Sequence, residues 1–526
     1  MDARQVTRLN IAGFAAFNLA YLSVKLAAVS AAHYDYAKEI YNAQALRWFY
    51  EAANPPIYTW LLHGLFQITG PGVEAALALT HALLFAALLA AFGLGRRLLG
   101  SAADGALAAW LLLTVHQVFR FQFARTHSLL LVLFGLLALL VFVGMLRQRR
   151  TRDYVLLGLV LGAGLLSKFT FAGFIGALVL GALATREGRR ALVTPRLALT
   201  VVALLAVTLP VALAGLDQWT VLAEIFKLKT APATQSGDVP ARLAALLGLV
   251  GALLAFAAVP VLAMAAAMGA VGVGGRLRRP AGREVATAPG QADFDTGALR
   301  LLVAVMLAGI AILIVAVLAG AVARVSGRFL LAFLLPLPFV IAALARRHAP
   351  GRAGLRACGI AIAAVLVVQA TVRVIDLSPF CSGKCTDLAP YDRLAVRLRG
   401  LGFLRGAITT LDVSIAGNLV AALPGSAATV RGLRGIARPP LASRARCLIV
   451  WRADARGATG AAATRPPASL INVSGLAWIE ALDRARIIAV PWRWVSRDRF
   501  RPFAEGRRRT SSWGILLLRQ GQGACR

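Results

Sequence analysis

Long apolar stretches recur along most of this 526-residue chain. A helix needs about twenty apolar residues to cross the hydrocarbon core of a bilayer. Apolar residues make up 59% of the chain and charged residues only 15%, whereas soluble globular domains carry about 25% charged residues. Because a soluble core cannot bury so many apolar side chains, lipid must be the second solvent. These features exclude a soluble enzyme, a disordered chain and a small disulfide-stapled secreted domain.

The apolar stretches predict a polytopic α-helical membrane protein with about eleven transmembrane helices. They lie near residues 11–32, 73–94, 104–119, 128–146, 154–166, 171–185, 196–214, 241–268, 299–323, 329–345 and 357–375. Residues 28–32 resemble a signal-peptidase site, so a cleaved signal peptide is the alternative to a retained first span. The length of the first stretch, together with Lys25 inside it, favours a retained anchor. Lys25 itself is interpreted as a side chain that reaches towards the membrane surface.

Arginine-rich loops alternate with loops that contain little arginine. The rich loops hold Arg96, Arg97, Arg147, Arg149, Arg150, Arg152, Arg186, Arg189, Arg190, Arg276, Arg278, Arg279, Arg283, Arg346, Arg347, Arg352 and Arg356. Short basic loops stay in the cytoplasm, so these loops and the N-terminus, with Arg4 and Arg8, are expected there. The clustering of basic residues in short runs between apolar stretches favours membrane topology over nucleic-acid binding as the interpretation of the net charge of +34. Nucleic acid is not an expected partner, because no nucleic-acid-binding module accompanies the charge.

The composition changes after residue 375, which predicts a transmembrane domain at 1–375 and a small C-terminal α/β domain at 376–526. Eleven spans would place the second domain in the periplasm of a bacterium. Short β-like runs occur at Ala407–Val413, Cys447–Trp451, Arg486–Val490 and Trp513–Leu518, each followed by turn-forming residues. In an oxidising compartment, a disulfide between Cys381 and Cys385 is one expectation. A metal site is the alternative, although no His accompanies the pair.

The first outer loop, at about residues 33–72, holds most of the candidate chemistry. It begins His33-Tyr34-Asp35-Tyr36-Ala37-Lys38-Glu39 and later reads Asn54-Pro55-Pro56-Ile57-Tyr58-Thr59-Trp60-Leu61. Asp35 follows the first span almost at once, so we expect it at the membrane surface. A carboxylate there can act as general base or metal ligand towards a substrate anchored in the bilayer, and a solvated loop acid is the alternative. The Pro-Pro pair predicts a surface helix after it.

Asp35, the aromatic residues after it and the Asn-Pro-Pro-Ile-Tyr-Thr-Trp-Leu segment resemble the first periplasmic loop of GT-C glycosyltransferases, in particular ArnT-like and protein-mannosyltransferase-like enzymes. Further matches follow in order at Thr126-His127-Ser128, Leu166-Ser167-Lys168-Phe169 and Arg328-Phe329-Leu330, with a weaker one at Gly417-Asn418-Leu419. The resemblance implies a GT-C-like fold in the bacterial inner membrane. It also implies transfer of a sugar from a polyprenyl-phosphate-linked donor to a lipid, glycan or protein acceptor on the periplasmic face.

The resemblance also assigns roles to the two loop acids. Asp35 matches the catalytic or acceptor-positioning acid of the family. Many members carry Glu directly after this Asp, where this chain has Tyr36. Glu39, one helical turn later, is therefore the candidate second catalytic acid.

Three further residues are candidates for binding the substrates. Lys168 and Arg328 match positions suited to the donor phosphate, and snorkelling towards the interface is the alternative for both. His127 is a candidate contact to substrate or metal, and a hydrogen-bonding residue at the surface is the alternative. Some members hold a divalent metal with an Arg-Asp pair just before this His, where the present chain reads Phe123-Ala124-Arg125. The resemblance therefore leaves the metal unknown.

Two other classes of function remain open at this stage. A transporter or flippase for a lipid-linked sugar also needs many spans, but transporters commonly show internal repeats and charged residues at mid-membrane. This chain shows no convincing repeat, and its candidate polar residues gather at one predicted face. A non-catalytic relative that binds lipid-linked sugars is the second alternative, because family acids are missing.

The eleven-span topology makes a prediction about the C-terminus. A reporter that is active only in the periplasm should be active when it is fused after Arg526. The measurement is the activity of that fusion beside a second fusion to a reporter that works only in the cytoplasm. Signal from the cytoplasmic reporter alone would contradict the topology.

Overall fold

The computed structural model describes residues 2–50, 54–119, 126–215, 239–277, 296–320, 322, 325, 327–349, 351–378, 386–431, 446–453, 467, 469–470, 484–493 and 508–518. Most of these residues are helical, as the apolar stretches predict. The helices before the C-terminal region are α1 (Ala3–Ala28), α2 (Tyr34–Asn42), α3 (Ile57–Thr69), α4 (Val73–Leu99), α5 (Ala102–Thr114), α6 (His116–Phe119), α7 (Thr126–Gln148), α8 (Thr151–Leu165), α9 (Phe171–Leu183), α10 (Arg186–Leu192), α11 (Leu197–Ala214), α12 (Val239–Leu277), α13 (Thr296–Leu318), α14 (Gly327–Leu330), α15 (Leu337–His348) and α16 (Gly351–Asp376).

Seven helices in the described part of the chain are long and apolar enough to cross a bilayer, namely α1, α4, α7, α11, α12, α13 and α16. The count becomes eight if α9 and α10, which meet at an angle of 115°, form one span. The predicted spans near 104–119, 154–166 and 329–345 coincide with the shorter helices α5, α8 and α15. The structure confirms a polytopic α-helical protein, while the count of eleven and the orientation of the termini stay predictions.

Small residues allow the membrane helices to pack closely. Gly158 and Gly162 of α8 face α11, and a Cβ atom at Gly158 would overlap the carbonyl oxygen of Thr200. Thr200 also donates a hydrogen bond from Oγ1 to the carbonyl oxygen of Tyr154, at 2.9 Å. Small residues one turn apart are the usual contact surface of helices in lipid, where packing and hydrogen bonds replace hydrophobic exclusion.

The outer surface of the helical part is apolar. Large aliphatic side chains are widely exposed on helices that meet the test for a membrane span, for example Val202, Leu254 and Ile360 at 64%, 67% and 71%. In water such a surface would be costly, but in hydrocarbon these side chains need no partner. The exposed apolar surface therefore agrees with a lipid-embedded fold.

The C-terminal region contains helices α17 (Tyr391–Gly400) and α18 (Val413–Ala422) and a five-stranded sheet. Its strands are β1 (Gly406–Thr410), β2 (Ala427–Val430), β3 (Arg446–Arg452), β4 (Arg486–Arg493) and β5 (Arg508–Leu518). The spatial order is β2-β1-β3-β5-β4, with β1 parallel to β2 and β3 and with β5 antiparallel to β3 and β4. The small C-terminal α/β fold is thus confirmed. The boundary at 375/376 and the periplasmic location stay predictions.

The sequence analysis missed one strand. β2 has the sequence Ala-Ala-Thr-Val, in which only two residues are β-branched, so its intrinsic preference for a strand is weak. It pairs in parallel with β1 after the crossover helix α18. This β1–α18–β2 unit fixes β2 by tertiary pairing, because two parallel strands need such a connection.

Helix α18 packs against α2, so the C-terminal region contacts the first outer loop directly. The two helices approach closely at Gly417, where a Cβ atom would overlap the carbonyl oxygen of Ala37. Elsewhere in the C-terminal region, Cys447 is disulfide-bonded, whereas Cys358 in α16 is a buried free thiol. The predicted pair Cys381 and Cys385 lies outside the described residues.

Candidate active site

Helix α2 brings Asp35 to the end of the first membrane helix. α1 ends at Ala28 and α2 begins at Tyr34, so only a short connection separates them. His33 caps α2 and accepts a hydrogen bond on Nδ1 from the backbone N–H of Asp35, at 3.4 Å. A carboxylate in the first turn is favoured by the partial positive charge of a helix N-terminus. Asp35 is only partly buried.

Glu39, one turn after Asp35, lies in the protein interior. It is 2% exposed. The hydroxyl of Thr59 donates to its Oε2 at 2.5 Å, and Nε2 of His127 lies 2.9 Å from its Oε1. The interaction joins the first-loop helices α2 and α3 to the start of α7. The two candidate residues Glu39 and His127 are therefore direct partners.

The two ring nitrogens of His127 face two oxygen atoms. Its Nδ1 lies 3.2 Å from the carbonyl oxygen of Ser167, and its Nε2 faces the Glu39 carboxylate. A carbonyl oxygen can only accept, so Nδ1 donates to Ser167. The Glu39–His127 contact has the geometry of an ion pair. His127 is buried, whereas a surface position was the alternative in the sequence analysis.

Glu39 is ionised because its partners outweigh burial. Burial favours the neutral acid. The charge of His127 and hydrogen bonds from His127 and Thr59 act in the opposite direction and lower the pKa of Glu39 below its ordinary value of 4.5. Both carboxylate oxygens are thus occupied by protein donors. This arrangement can hold α2, α3 and α7 together. Of the two loop acids, Asp35 is the more accessible.

The turn between α8 and α9 carries Lys168 next to this ion pair. Lys168 donates from Nζ to Oγ of Ser128 at 2.7 Å, and Ser128 follows His127 in α7. The neighbouring Ser167 accepts from His127, as described above. At the other side of the turn, the carbonyl oxygen of Leu166 accepts from the backbone N–H of Ile57, the first residue of α3, at 3.2 Å. The Lys168 turn is therefore fixed to α3 and α7 together.

Arg328 occupies a different place. It lies in the short helix α14 and is exposed. Its neighbour Gly327 packs against Gln117 of α6, whose side chain would overlap a Cβ atom at position 327. Among the described contacts, none joins Arg328 to the network of Glu39, His127 and Lys168. The structure thus brings three of the predicted site residues together and leaves Arg328 apart.

Lys25 corrects the sequence analysis. We expected this side chain to reach towards the membrane surface, but it is only 1% exposed. Its Nζ lies 5.3 Å above the ring centroid of Tyr36, a cation–π distance. The carboxylate of Asp387, in the C-terminal region, attracts the charge of Lys25. Burial raises the pKa of Asp387, against the opposing charges of Lys25 and His33. Protein contacts from α2 and from the C-terminal region satisfy Lys25, which explains why it need not reach water.

Several residues of the site had no role in the sequence analysis, namely Thr59, Ser128, Ser167 and Asn418. All four lie inside the quoted motifs, and Ser128 and Ser167 directly adjoin the candidates His127 and Lys168. This placement was the available signal. Their partners are far away in sequence and could not be inferred. In the described part of the chain, no group of three or more His, Cys, Asp or Glu residues could hold a metal ion. The departure at Phe123–Arg125 lies outside the described residues.

Comparison with known proteins gives consistent results. Residues 53–213 match the family model of dolichyl-phosphate-mannose-protein mannosyltransferases. The lipopolysaccharide core galacturonosyltransferase RgtB of Rhizobium johnstonii is 30% identical over 447 residues, which cover 83% of this chain and 85% of RgtB. The lipopolysaccharide core galacturonosyltransferase RgtA of the same organism is 30% identical over 327 residues, which cover 61% and 62%.

The fold is also that of a solved membrane enzyme. ArnT from Cupriavidus metallidurans bound to undecaprenyl phosphate aligns with a TM-score of 0.55 and 13% identity, covering 84% of this chain and 93% of ArnT. Its apo state aligns with a TM-score of 0.54 at the same identity, covering 84% and 92%. The fold and the relatives together identify a multi-pass membrane glycosyltransferase of the GT-C class. The chain belongs to the same glycosyltransferase family as RgtB.

The Glu39–His127 pair predicts a pH-dependent stability difference. Glu39→Gln should destabilise the protein by about 1–3 kcal/mol at neutral pH, because a buried charge loses its partner. The lowered pKa means that ionised Glu39 stabilises the fold above its unfolded-state pKa near 4.5. This stabilisation disappears as the pH falls through the lower folded-state pKa. Thermal unfolding in detergent should therefore show a gap between wild type and variant that closes below about pH 4.5.

Glu74→Gln is the matched control for that experiment, since Glu74 is an exposed acid in the first turn of α4. Its unfolding temperature should follow that of the wild type at every pH. A gap for Glu39→Gln that stays constant from neutral pH to about pH 4 would contradict the ion pair.

Proposed function

We propose that this protein transfers a sugar from a polyprenyl-phosphate-linked donor to a lipopolysaccharide core acceptor on the periplasmic face of the bacterial inner membrane. One observation carries the proposal. Asp35 lies one turn from Glu39 on a short helix at the end of a membrane helix, and the Glu39–His127 ion pair ties that helix to the Lys168 turn. An accessible carboxylate and an ammonium group are thus held at the edge of the helical bundle.

The donor chemistry requires both groups. In the transfer, the acceptor hydroxyl oxygen forms a bond to the anomeric carbon, and the bond from that carbon to the phosphate oxygen breaks. Polyprenyl phosphate leaves with the bonding electron pair, so negative charge increases on the phosphate. A cation fixed nearby stabilises this charge in the transition state. We assign this role to Lys168, with exposed Arg328 as a second candidate. The structural similarity to ArnT, which was solved with undecaprenyl phosphate bound, supports a lipid-phosphate donor.

The acceptor chemistry requires a base. The proton of the attacking hydroxyl must leave as the new glycosidic bond forms, and we assign its removal to Asp35. Glu39 is proposed to act indirectly, because Thr59 and His127 occupy both of its carboxylate oxygens. Its role is to hold α2 against α7, and His127 shares that role rather than contacting the substrate. Metal dependence is not part of this proposal.

The relatives support a choice of sugar and acceptor. RgtB and RgtA are both named as lipopolysaccharide core galacturonosyltransferases. Galacturonic acid is therefore the first sugar to test, and lipopolysaccharide core is the first acceptor. Both the phosphate of the donor and the carboxylate of a uronic acid are anionic, which agrees with a chain of net charge +34. Opposite charge raises the local concentration of such substrates.

Two observations support the periplasmic location of the site. Arginine-rich loops alternate along the chain, and this pattern predicts that the α1–α2 connection lies on the face opposite to those loops. Cys447 in the C-terminal region is disulfide-bonded. Disulfides persist in the periplasm but are rare in the cytoplasm.

Replacing the proposed base tests the function. Asp35→Asn keeps the size of the side chain but removes its basicity, so transfer should fall by about 10²–10⁴-fold. The measurement is transfer of label from undecaprenyl-phosphate galacturonic acid to lipopolysaccharide, in membranes that contain equal amounts of each variant. Undecaprenyl-phosphate mannose serves as the competing donor, because the matching family model is that of mannosyltransferases.

The exposed acid Glu74 again provides the control, and Glu74→Gln should retain wild-type transfer. Full activity of Asp35→Asn would reject Asp35 as the base. Transfer from the mannose donor alone would reject the uronic acid but keep the lipid-phosphate mechanism. A wild-type protein that transfers from neither donor while binding both would favour a non-catalytic relative.

A further inference from the structure

The connection between α1 and α2 is held by the C-terminal region. The carbonyl oxygen of Asp387, in a short 3₁₀ turn (Thr386–Leu388) after α16, accepts hydrogen bonds from the backbone N–H groups of Ser30 and Ala31, at 3.0 and 3.1 Å. The hydroxyl of Ser30 donates to the carbonyl oxygen of Ala389 at 3.3 Å. A connection of this length would otherwise expose its backbone groups to water. Here the segment after the last membrane helix satisfies them.

Asn418 of α18 completes this attachment. Its Oδ1 accepts from the backbone N–H of Ala32 at 2.6 Å, and its Nδ2 donates to the carbonyl oxygen of Ala32 at 3.1 Å. Nδ2 also donates to the carbonyl oxygen of Ser414 at 2.9 Å, which fixes the rotamer. Asn418 and Ala32 are each 2% exposed. Only a side-chain amide offers an acceptor and two donors in this arrangement.

The same segment of α18 sets the distance to α2. Gly417 lies against the carbonyl oxygen of Ala37, and no larger residue fits there without displacing one helix. Asn418 therefore forms hydrogen bonds with the backbone just before α2, while Gly417 contacts α2 itself at Ala37. The adjacent residues Gly417 and Asn418 thus fix both the position at which α2 begins and its distance from α18.

A short stretch of chain connects Asp35 to Ala32, the residue that Asn418 holds by hydrogen bonds. Asp35 is three residues from Ala32, and the intervening His33 caps α2. A shift of Ala32 must therefore move the first turn of α2. A misplacement of about 1 Å at a reacting group can lower a rate by about 10²-fold.

We propose that Asn418 is a positioning residue for Asp35, and that the C-terminal domain is thereby a structural part of the catalytic site. The proposal rests on the function proposed above, in which Asp35 is the base. Asn418 acts through the backbone of Ala32 and does not touch the substrate. Its loss should lower kcat for transfer and leave the binding of the donor at Lys168 unchanged, since Lys168 is fixed to α3 and α7.

Gln44 offers a matched control. Its Oε1 accepts from the backbone N–H of Ala428 at 2.7 Å, and its Nε2 donates to the carbonyl oxygen of Ala428 at 3.3 Å. This is the same pair of amide hydrogen bonds between the first outer loop and the C-terminal domain. It lies beyond the C-terminal end of α2, nine residues after Asp35. A general role of the interface in stability would affect both amides, whereas positioning of Asp35 concerns Asn418 alone.

The experiment compares Asn418→Ala and Gln44→Ala in the full-length protein, with undecaprenyl-phosphate galacturonic acid and lipopolysaccharide as substrates. Asn418→Ala should lower kcat by about 10–100-fold with both KM values within about threefold of wild type. Gln44→Ala should retain kcat within about threefold, although both variants should lose similar thermal stability. Equal losses of kcat, or a raised KM at unchanged kcat for Asn418→Ala, would overturn the proposal.

Two further variants keep the test decisive. Asn418→Asp keeps the shape and the acceptor but cannot donate to Ala32, so it should show the same loss of kcat and replaces Asn418→Ala if that variant does not fold. In an Asp35→Asn background, Asn418→Ala should add less than about threefold, because residues that act as one unit are not additive. A full additional loss would overturn positioning of Asp35. Full activity of Asp35→Asn alone would instead reject the proposed base.

Discussion

A buried ion pair between Glu39 and His127 connects the parts of this site. Glu39 lies in α2 and His127 lies in α7. The distance of 2.9 Å between Oε1 of Glu39 and Nε2 of His127 joins the first outer loop to the start of α7. Through the neighbouring Ser167 and Ser128 it also fixes the turn that carries Lys168. Removing one partner of such a pair leaves an uncompensated charge in a buried place, which strongly disfavours other arrangements. The relative position of Asp35 and the Lys168 turn is therefore set by a contact between two other residues.

The second constraint comes from the end of the chain. The C-terminal domain forms hydrogen bonds with the α1–α2 connection through Asp387 and Asn418. Its helix α18 also packs against α2. The membrane helices support the site from the Lys168 side, and the C-terminal domain supports it from the Asp35 side. This division explains how a domain that contributes no proposed reacting group can still be required for the site. Its contribution is the position of a helix.

Much of the fold could be predicted because lipid imposes simple rules on sequence. Apolar length marked the spans, composition marked the C-terminal domain, and four of its strands followed from their residues. The sequence did not predict strand β2, because pairing with β1, rather than its own sequence, stabilises it. In the site, motif resemblance singled out Glu39, His127 and Lys168. The contacts among them, and the burial of Lys25 against Tyr36, depend on tertiary packing, for which local patterns carry no information.

The central claim is that the Lys168 turn receives the phosphate of a lipid-linked donor. The most direct measurement is the affinity of the purified protein for undecaprenyl phosphate, with undecaprenol as the ligand that lacks the charge. Wild type should bind the phosphate more tightly than the alcohol. Lys168→Ala should weaken phosphate binding by about tenfold, which corresponds to about 1.4 kcal/mol, and leave alcohol binding unchanged. Equal phosphate affinity of Lys168→Ala and wild type would contradict the claim.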